Sequence, residues 1–547
     1  MQARRPRLAE LGVFLLVVAL PLIFTPFSTS PFGDPKLVML AAGSLCLVAA
    51  GLPWDRRTAL AGAVLVGVAT LAALFGVEPT KSLTAQADST GTGLILFVCI
   101  AVLASVGAAL PAALRRRSMG WYINGATAVA VVGIAYRLAS PAFEELFPGK
   151  GLIGSTMGNQ VFGVALTASA LGALLAIDPG DGARAWWVKL AILSAGIASF
   201  GQRSSIAFVV LAILVALWRR PDVRRRIWKA SVAVAIVMLA WHALSPLTPS
   251  PGRVVAELQT LSNERQRLVL WRVGLESLAD RPVLGWGPGS TQSAYMANAS
   301  PADIEITTRG YGDAHNAIVA TLVEMGSLGL IATALLGGLL AWRARARSVD
   351  RAAAFAAAAI VLASWLIEPA HPALTPLLFF FAAIAGPISD DAAVDDGRRA
   401  AQAVPFVAAA LLVLATAVTL QMLAAATLER WGRTYGETWA LEGALRVQPW
   451  RLSSAEQLAV SWALDGRAGD EAAAARARDL IAQAVDDHPW DTDVRLVAAD
   501  VETLLRDEVA AGDWVEAHLD RFPGDAPGII GAAVGDAVRG ENAGPGA

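Results

Sequence analysis

Long apolar stretches broken by short polar ones fill residues 1–425 of this chain, and the pattern changes after residue 427. A run of roughly 18–20 apolar residues is enough to cross a bilayer core. On that measure the sequence predicts thirteen spanning helices: roughly 9–27, 36–53, 58–76, 92–113, 121–139, 160–177, 185–201, 204–218, 227–245, 316–342, 352–369, 373–388 and 402–425. The eighth and twelfth are short for a full crossing. The first follows basic residues but is trailed by no small-residue cleavage site, so it reads as an anchor. Between the ninth and tenth spans lies one long polar stretch, 246–315, with helical texture from Val254 to Leu278. Such a connection in a chain of short loops is expected to fold and to carry function.

Composition agrees with the pattern. Of 547 residues, 55% are hydrophobic and only 16% charged, with mean hydropathy +0.52. A soluble domain carries about 25% charged residues. The net charge of −2 gives no sign of a nucleic-acid partner. Both cysteines, Cys46 and Cys99, fall in apolar runs and read as packed small hydrophobes.

Charge in the short loops sets an orientation. One set holds Arg4, Arg5 and Arg7, then Arg56 and Arg57, Arg115 to Arg117, Arg184, Arg219 to Arg226, Arg343 to Arg351, and Arg398 and Arg399. The alternate loops hold little beyond Lys36, Lys81, Lys150 and Arg203. The arginine-rich set is expected in the cytoplasm. The N-terminus is then inside, with the 246–315 loop and the C-terminus outside.

The expected architecture is all-α: a polytopic membrane helix bundle with a large extracytoplasmic loop and a C-terminal helical domain. Its parts are 1–245 (first helices), 246–315 (loop), 316–426 (last helices) and 427–547. In the last part Ala444-Leu-Arg-Val-Gln-Pro449-Trp450 and Ala484-Val-Asp-Asp-His-Pro489-Trp490 each end a helical pattern with proline. These resemble tetratricopeptide-type helix pairs, which usually bind protein.

The chemistry-bearing residues concentrate between 203 and 329. Arginine donates two hydrogen bonds to a phosphate and stays charged. The loop offers Arg265, Arg267, Arg272 and Arg281, and Arg267 shares a helix face with Trp271 four residues on. Arg203 lies between two apolar runs, where an ionisable residue is a functional candidate or a snorkelling side chain. His315 stands at the start of a long apolar helix that Asp313 or Asn316 could cap. A helix N-terminus disfavours imidazolium, and a neutral imidazole can act as general base. Gly285-Trp-Gly287-Pro-Gly289 would let backbone approach a ligand or turn sharply. Glu324 reads as a structural hydrogen-bond partner, and Glu368-Pro-Ala-His371 as a polar helix end. His242, His488 and His518 read as structural.

Together, Arg267-x3-Trp271, Pro282-x-x-Gly285-x-Gly287, Tyr295, His315-Asn316 and Glu324-x-Gly326-x-x-Gly329 resemble the bacterial O-antigen ligase and polysaccharide polymerase superfamily. Gly154-Ser-Thr-Met-Gly158-Asn159 and Gly201-Gln-Arg203-Ser-Ser resemble two further family loops. The resemblance covers roughly residues 10–425 and implies a GT-C-like glycosyltransferase of the bacterial inner membrane. It implies a glycan donor linked to undecaprenyl diphosphate, a lipid or glycan acceptor, and inverting transfer with no metal or other cofactor. On it, His315 activates the acceptor while Arg203 and Arg267 hold the diphosphate. Arg265, Arg272, Trp271, Tyr295, Asn316, Gly285 and Gly287 are expected around the substrate.

Three acceptors stay open: lipid A core, growing glycan or a protein side chain. A transporter or flippase for a lipid-linked sugar is the alternative of a different class. Against it, the polar residues sit in outer loops rather than at midplane. A metal-dependent transferase would have to use Asp303 and Glu305, since the first outer loop holds only Asp34.

Overall fold

The computed structural model describes residues 5–84, 93–142, 156–244, 262–307, 313–345, 349–387 and 400–525. Gly154, Ser155 and the first part of the predicted helical stretch, Val254 to Leu261, lie outside them. Among the described residues there is no strand.

Each of the thirteen apolar runs is helical. They form α1 (Pro6–Phe14, running on through a π-helical turn to Leu22), α2 (Asp34–Ala49), α3 (Arg56–Leu74), α4 (Leu94–Ala108), α5 (Ala112–Leu138), α6 (Gln160–Ala176), α7 (Ala183–Ser199), α8 (Ser204–Arg219) and α9 (Arg224–Leu244). The outer loop contributes α10 (Ser262–Glu276), α11 (Thr291–Asn298) and α12 (Pro301–Thr307). Then follow α13 (Ala317–Ala344), α14 (Val349–Ser364), α15 (Leu374–Ile384) and α16 (Ala400–Tyr435). The remainder is α17 (Thr438–Val447), α18 (Leu452–Arg467), α19 (Glu471–Asp487), α20 (Val494–Leu504) and α21 (Glu508–Arg521).

Among the described residues, five helices are long and apolar enough to cross a membrane by themselves: α3, α5, α9, α13 and α16. The shorter apolar ones include α4 and α6, which are buried on nearly every side. A helix apolar all round belongs in the interior. It faces other helices rather than lipid, so it need not match the hydrocarbon thickness. The predicted twelfth span is α15, whose 11 residues rise only about 16 Å.

The loops gather at two ends. At the arginine-rich end, Arg343 pairs with Asp55 at 2.6 Å, and Asp55 caps α3. Arg115 donates to the carbonyls of Ala108, Leu110, Ile384 and Gly386. It thereby closes the C-terminal ends of α4 and α15, where cations are favoured. At the opposite end, buried Lys36 donates to the carbonyls of Ile23 and Thr156. Here also lie the outer-loop helices and the C-terminal helices. The latter pack as successive hairpins, and the two proline phrases mark the exits of α17 and α19. The boundary expected at 427 falls inside α16, which continues unbroken to Tyr435.

The apolar run at 316–342 differs from the expected continuous span. Gly326 sits at φ 63°, ψ −166° within α13 and breaks its regular turn. The loop before α11 fills the break: Trp286 and Gly287 donate their N–H groups to the carbonyls of Val323 and Glu324, each at 2.9 Å, and Ser327 returns one to Pro282. Backbone groups that a straight helix would satisfy internally are paired across the two segments instead.

Candidate active site

His315 lies just before α13 in a left-handed conformation, φ 45°. Such a backbone costs on the order of 1–3 kcal/mol outside glycine and tends to mark functional sites. It is held from both sides. The Asp313 carboxylate accepts the His315 N–H at 2.7 Å. Asn316 caps α13 by accepting from Ile318 and Val319, which is worth about 1 kcal/mol. The amide of Asn316 donates to Leu366 O, and Ala317 N–H is shared between the carbonyls of Trp365 and Glu368. The turn at 315–317 is thereby stapled to the segment after α14.

That staple brings in a residue read from the sequence only as part of a polar helix end. Glu368 is buried, with one oxygen 3.4 Å from Arg267 Nη2 and the other 3.9 Å from His315 Nδ1. Asp313 stands 3.5 Å from the same ring nitrogen. Burial opposes charge on His315, and Arg267 adds to that opposition. The Glu368 and Asp313 carboxylates outweigh both and hold the imidazole pKa above its ordinary value. The expectation of a ring kept neutral by the helix end is thus corrected: Asn316, not His315, meets the helix dipole, and two carboxylates face the imidazole.

The shared face of Arg267 and Trp271 is present. Trp271 Nε1 donates to Ala314 O at 2.8 Å, next to His315, while Arg267 reaches Glu368. Arg265, two residues before Arg267 on α10, is exposed. Arg203 stands at the N-cap of α8. Its neighbour Gln202 bonds Gln160, and two residues past Gln160 the Phe162 ring packs on His371 at 4.2 Å. Arg203 and the Glu368 segment therefore share one end of the bundle.

Other expected substrate contacts are committed to the fold. Arg272 bonds Glu276 and Asp303, which is also held by Ser300. The Arg272 side chain stays half exposed beside those carboxylates. Tyr295 is buried, its hydroxyl 2.7 Å from Thr307 Oγ1, and burial pushes its pKa up. Gly285 and Gly287 serve the interlock with α13. A Cβ on Gly285 would stand 2.5 Å from Val323 O, at a positive φ. Glu324 accepts from Thr291 at 2.8 Å, as a structural partner would. Asn316 spends both side-chain groups on the turn.

Below the turn, a narrow pocket runs between α3, α4, α13 and α15. Leu65, Phe97 and Phe379 form its apolar walls, and Thr321 and Glu324 are polar members of its lining.

The fold is a membrane helix bundle in which a histidine, a carboxylate and an arginine converge under a folded outer loop. A family model described as O-antigen ligase matches residues 188–334, which places that part of the chain in the O-antigen ligase and polysaccharide polymerase superfamily. The match runs from α7 through the break in α13 and contains Arg203, Arg267 and His315. No curated protein matches the chain.

Proposed function

We propose that the protein transfers a glycan from an undecaprenyl-diphosphate-linked donor to an acceptor hydroxyl, as an O-antigen ligase or surface-polysaccharide polymerase. The site faces the extracytoplasmic side of a bacterial inner membrane. The observation that carries this reading is the placing of His315 and Arg267 on the two oxygens of one buried carboxylate, Glu368.

The geometry suits an inverting displacement. With Nδ1 turned to Asp313 and Glu368, the ring meets the acceptor through Nε2. It takes the hydroxyl proton as the acceptor oxygen bonds the anomeric carbon. The bond to the diphosphate breaks on the opposite face, and the diphosphate leaves with the electron pair. Glu368 then neighbours an imidazolium, a carboxylate–histidine arrangement that orients the ring and stabilises its charge. Arg267 is a third exposed, so it can turn from Glu368 to a diphosphate oxygen, with Arg203 as the second cation. The leaving group is already good, so positioning and charge supply most of the catalysis. No step requires a metal.

The test is transfer rate and donor affinity in purified protein. His315→Ala should cost at least ~10²-fold in rate and keep donor binding. Arg267→Ala should lose donor binding, and Lys should restore it only partly. A His315→Ala protein that binds donor weakly yet turns over normally at saturation would make His315 a binding residue. Deletion of the gene separates the acceptors. Accumulated lipid-linked polymer marks a ligase, accumulated single repeats mark a polymerase, and loss of protein glycosylation marks a protein O-oligosaccharyltransferase.

A further inference from the structure

The C-terminal helices reach the active site through two aromatic side chains. Phe522, just past α21, is fully buried, and it shares one apolar cluster with Leu270 and Val273 of α10 and with Tyr295 of α11. Trp490, in the turn after α19, packs on that cluster and on a second one built by Trp286 and Val323. Its ring meets Trp286 edge-on, at 5.4 Å and 86°, and the Arg521 guanidinium lies 4.3 Å from the ring centre. Polar contacts flank the aromatics: Gln292 donates to Thr492 at 3.1 Å, and buried His488 stands 3.6 Å from buried Glu78.

The path from this contact to the chemistry is short. Leu270 and Val273 bracket Trp271, which holds Ala314 beside His315. Arg267, one turn earlier on α10, reaches Glu368. A helix of 15 residues is marginal on its own in water and takes its stability from packing. α10 packs on α11, α12 and α13, and Phe522 and Trp490 close the apolar cluster that α10 and α11 build together.

We propose that Trp490 and Phe522 are positioning residues of the active site: the C-terminal helices brace α10 so that Arg267 and Trp271 meet Glu368 and Ala314. The domain is then an intramolecular part of the transferase, whatever else its outer face binds. The catalytic half of this inference rests on the transfer reading above, and the bracing half does not.

The experiment uses the full chain, purified, as wild type, Trp490→Ala, Trp490→Phe and Phe522→Ala. Hydrogen–deuterium exchange is followed in 262–276 and in the bundle helices, alongside the kcat and KM of transfer. The expected result is faster exchange in 262–276 for both alanine variants, with the bundle unchanged. Their kcat should be at least tenfold lower, and Trp490→Phe should be close to wild type. A second pair guards against simple misfolding. Gln292→Cys with Thr492→Cys, oxidised in the Trp490→Ala background, should restore protection and rate, and reductant should remove both. Unchanged exchange in 262–276 in both alanine variants overturns the proposal, as does full kcat in a variant whose 262–276 exchange has risen. A wild-type protein inactive on every lipid-linked donor, but with exchange changed as expected, would refute the transfer reading and leave the brace standing.

Discussion

The environment of His315 shifts its titration, and the shift has a sign. The carboxylates of Glu368 and Asp313 raise the folded-state pKa of the ring. A base works only when neutral, so transfer should fall as pH drops through a midpoint above the ordinary histidine value of about 6.5. Glu368→Gln removes one carboxylate and should move that midpoint down while cutting the maximal rate about 10-fold or more, since the ring loses its orienting charge. A pH–rate profile of the variant with an unmoved midpoint would detach Glu368 from His315. Of this cluster, the sequence made Arg267, Trp271 and His315 legible, because i,i+4 spacing and a helix start are local signals. It hid Glu368, which lies far along the chain and arrives only through the staple at 365–368. It did not show that Arg272 pairs with acids or that Tyr295 is buried. An arginine in an ion pair and a tyrosine in a core look, in one sequence, the same as ligands.

At the scale of elements, the helices were legible because each is one apolar run, and the interlock was not, because it joins two segments through backbone alone. Gly285 and Gly287 read as glycines for ligand approach or a sharp turn, and together with Gly326 they let two chain segments touch. A Cβ on Gly326 would stand 2.3 Å from Val283 O, at φ 63°. Gly326→Ala should therefore cost about 1–3 kcal/mol and loosen the loop from α13. Thermal unfolding in detergent and protease cleavage within 282–290 measure this. A variant with wild-type stability and resistance would show that the break in α13 tolerates a side chain.

For the whole molecule, the loop charges predicted which segments share an end, and the structure gathers them so. Arg343, Arg115 and Arg220 meet acids and helix ends at one extreme. The site and the C-terminal helices lie at the other. The positive-inside rule predicts that the arginine-rich end faces the cytoplasm. Single cysteines at Ser300 and Ser453 should react with an impermeant thiol reagent in intact spheroplasts, and one at Asp222 should not. Labelling at Asp222 alone would reverse the orientation. The docking of the C-terminal helices onto the outer loop was not legible, since Trp490 and Phe522 look like ordinary core residues of a small helical domain.

The unbroken run of α16 from Ala400 to Tyr435 makes the molecule a lever. Its 36 residues rise about 54 Å, against a hydrocarbon core of about 30 Å. A rigid rod of that length swings its tip by roughly 1 Å for each degree of tilt. Helix tilt responds to bilayer thickness, and the tip carries the helices that hold α10. A tilt of this rod is expected to alter the distance between Arg267 and Glu368. Transfer rates in vesicles of short-, medium- and long-chain phosphatidylcholine should pass through an optimum, and a flat response would mean that the rod pivots without moving the site.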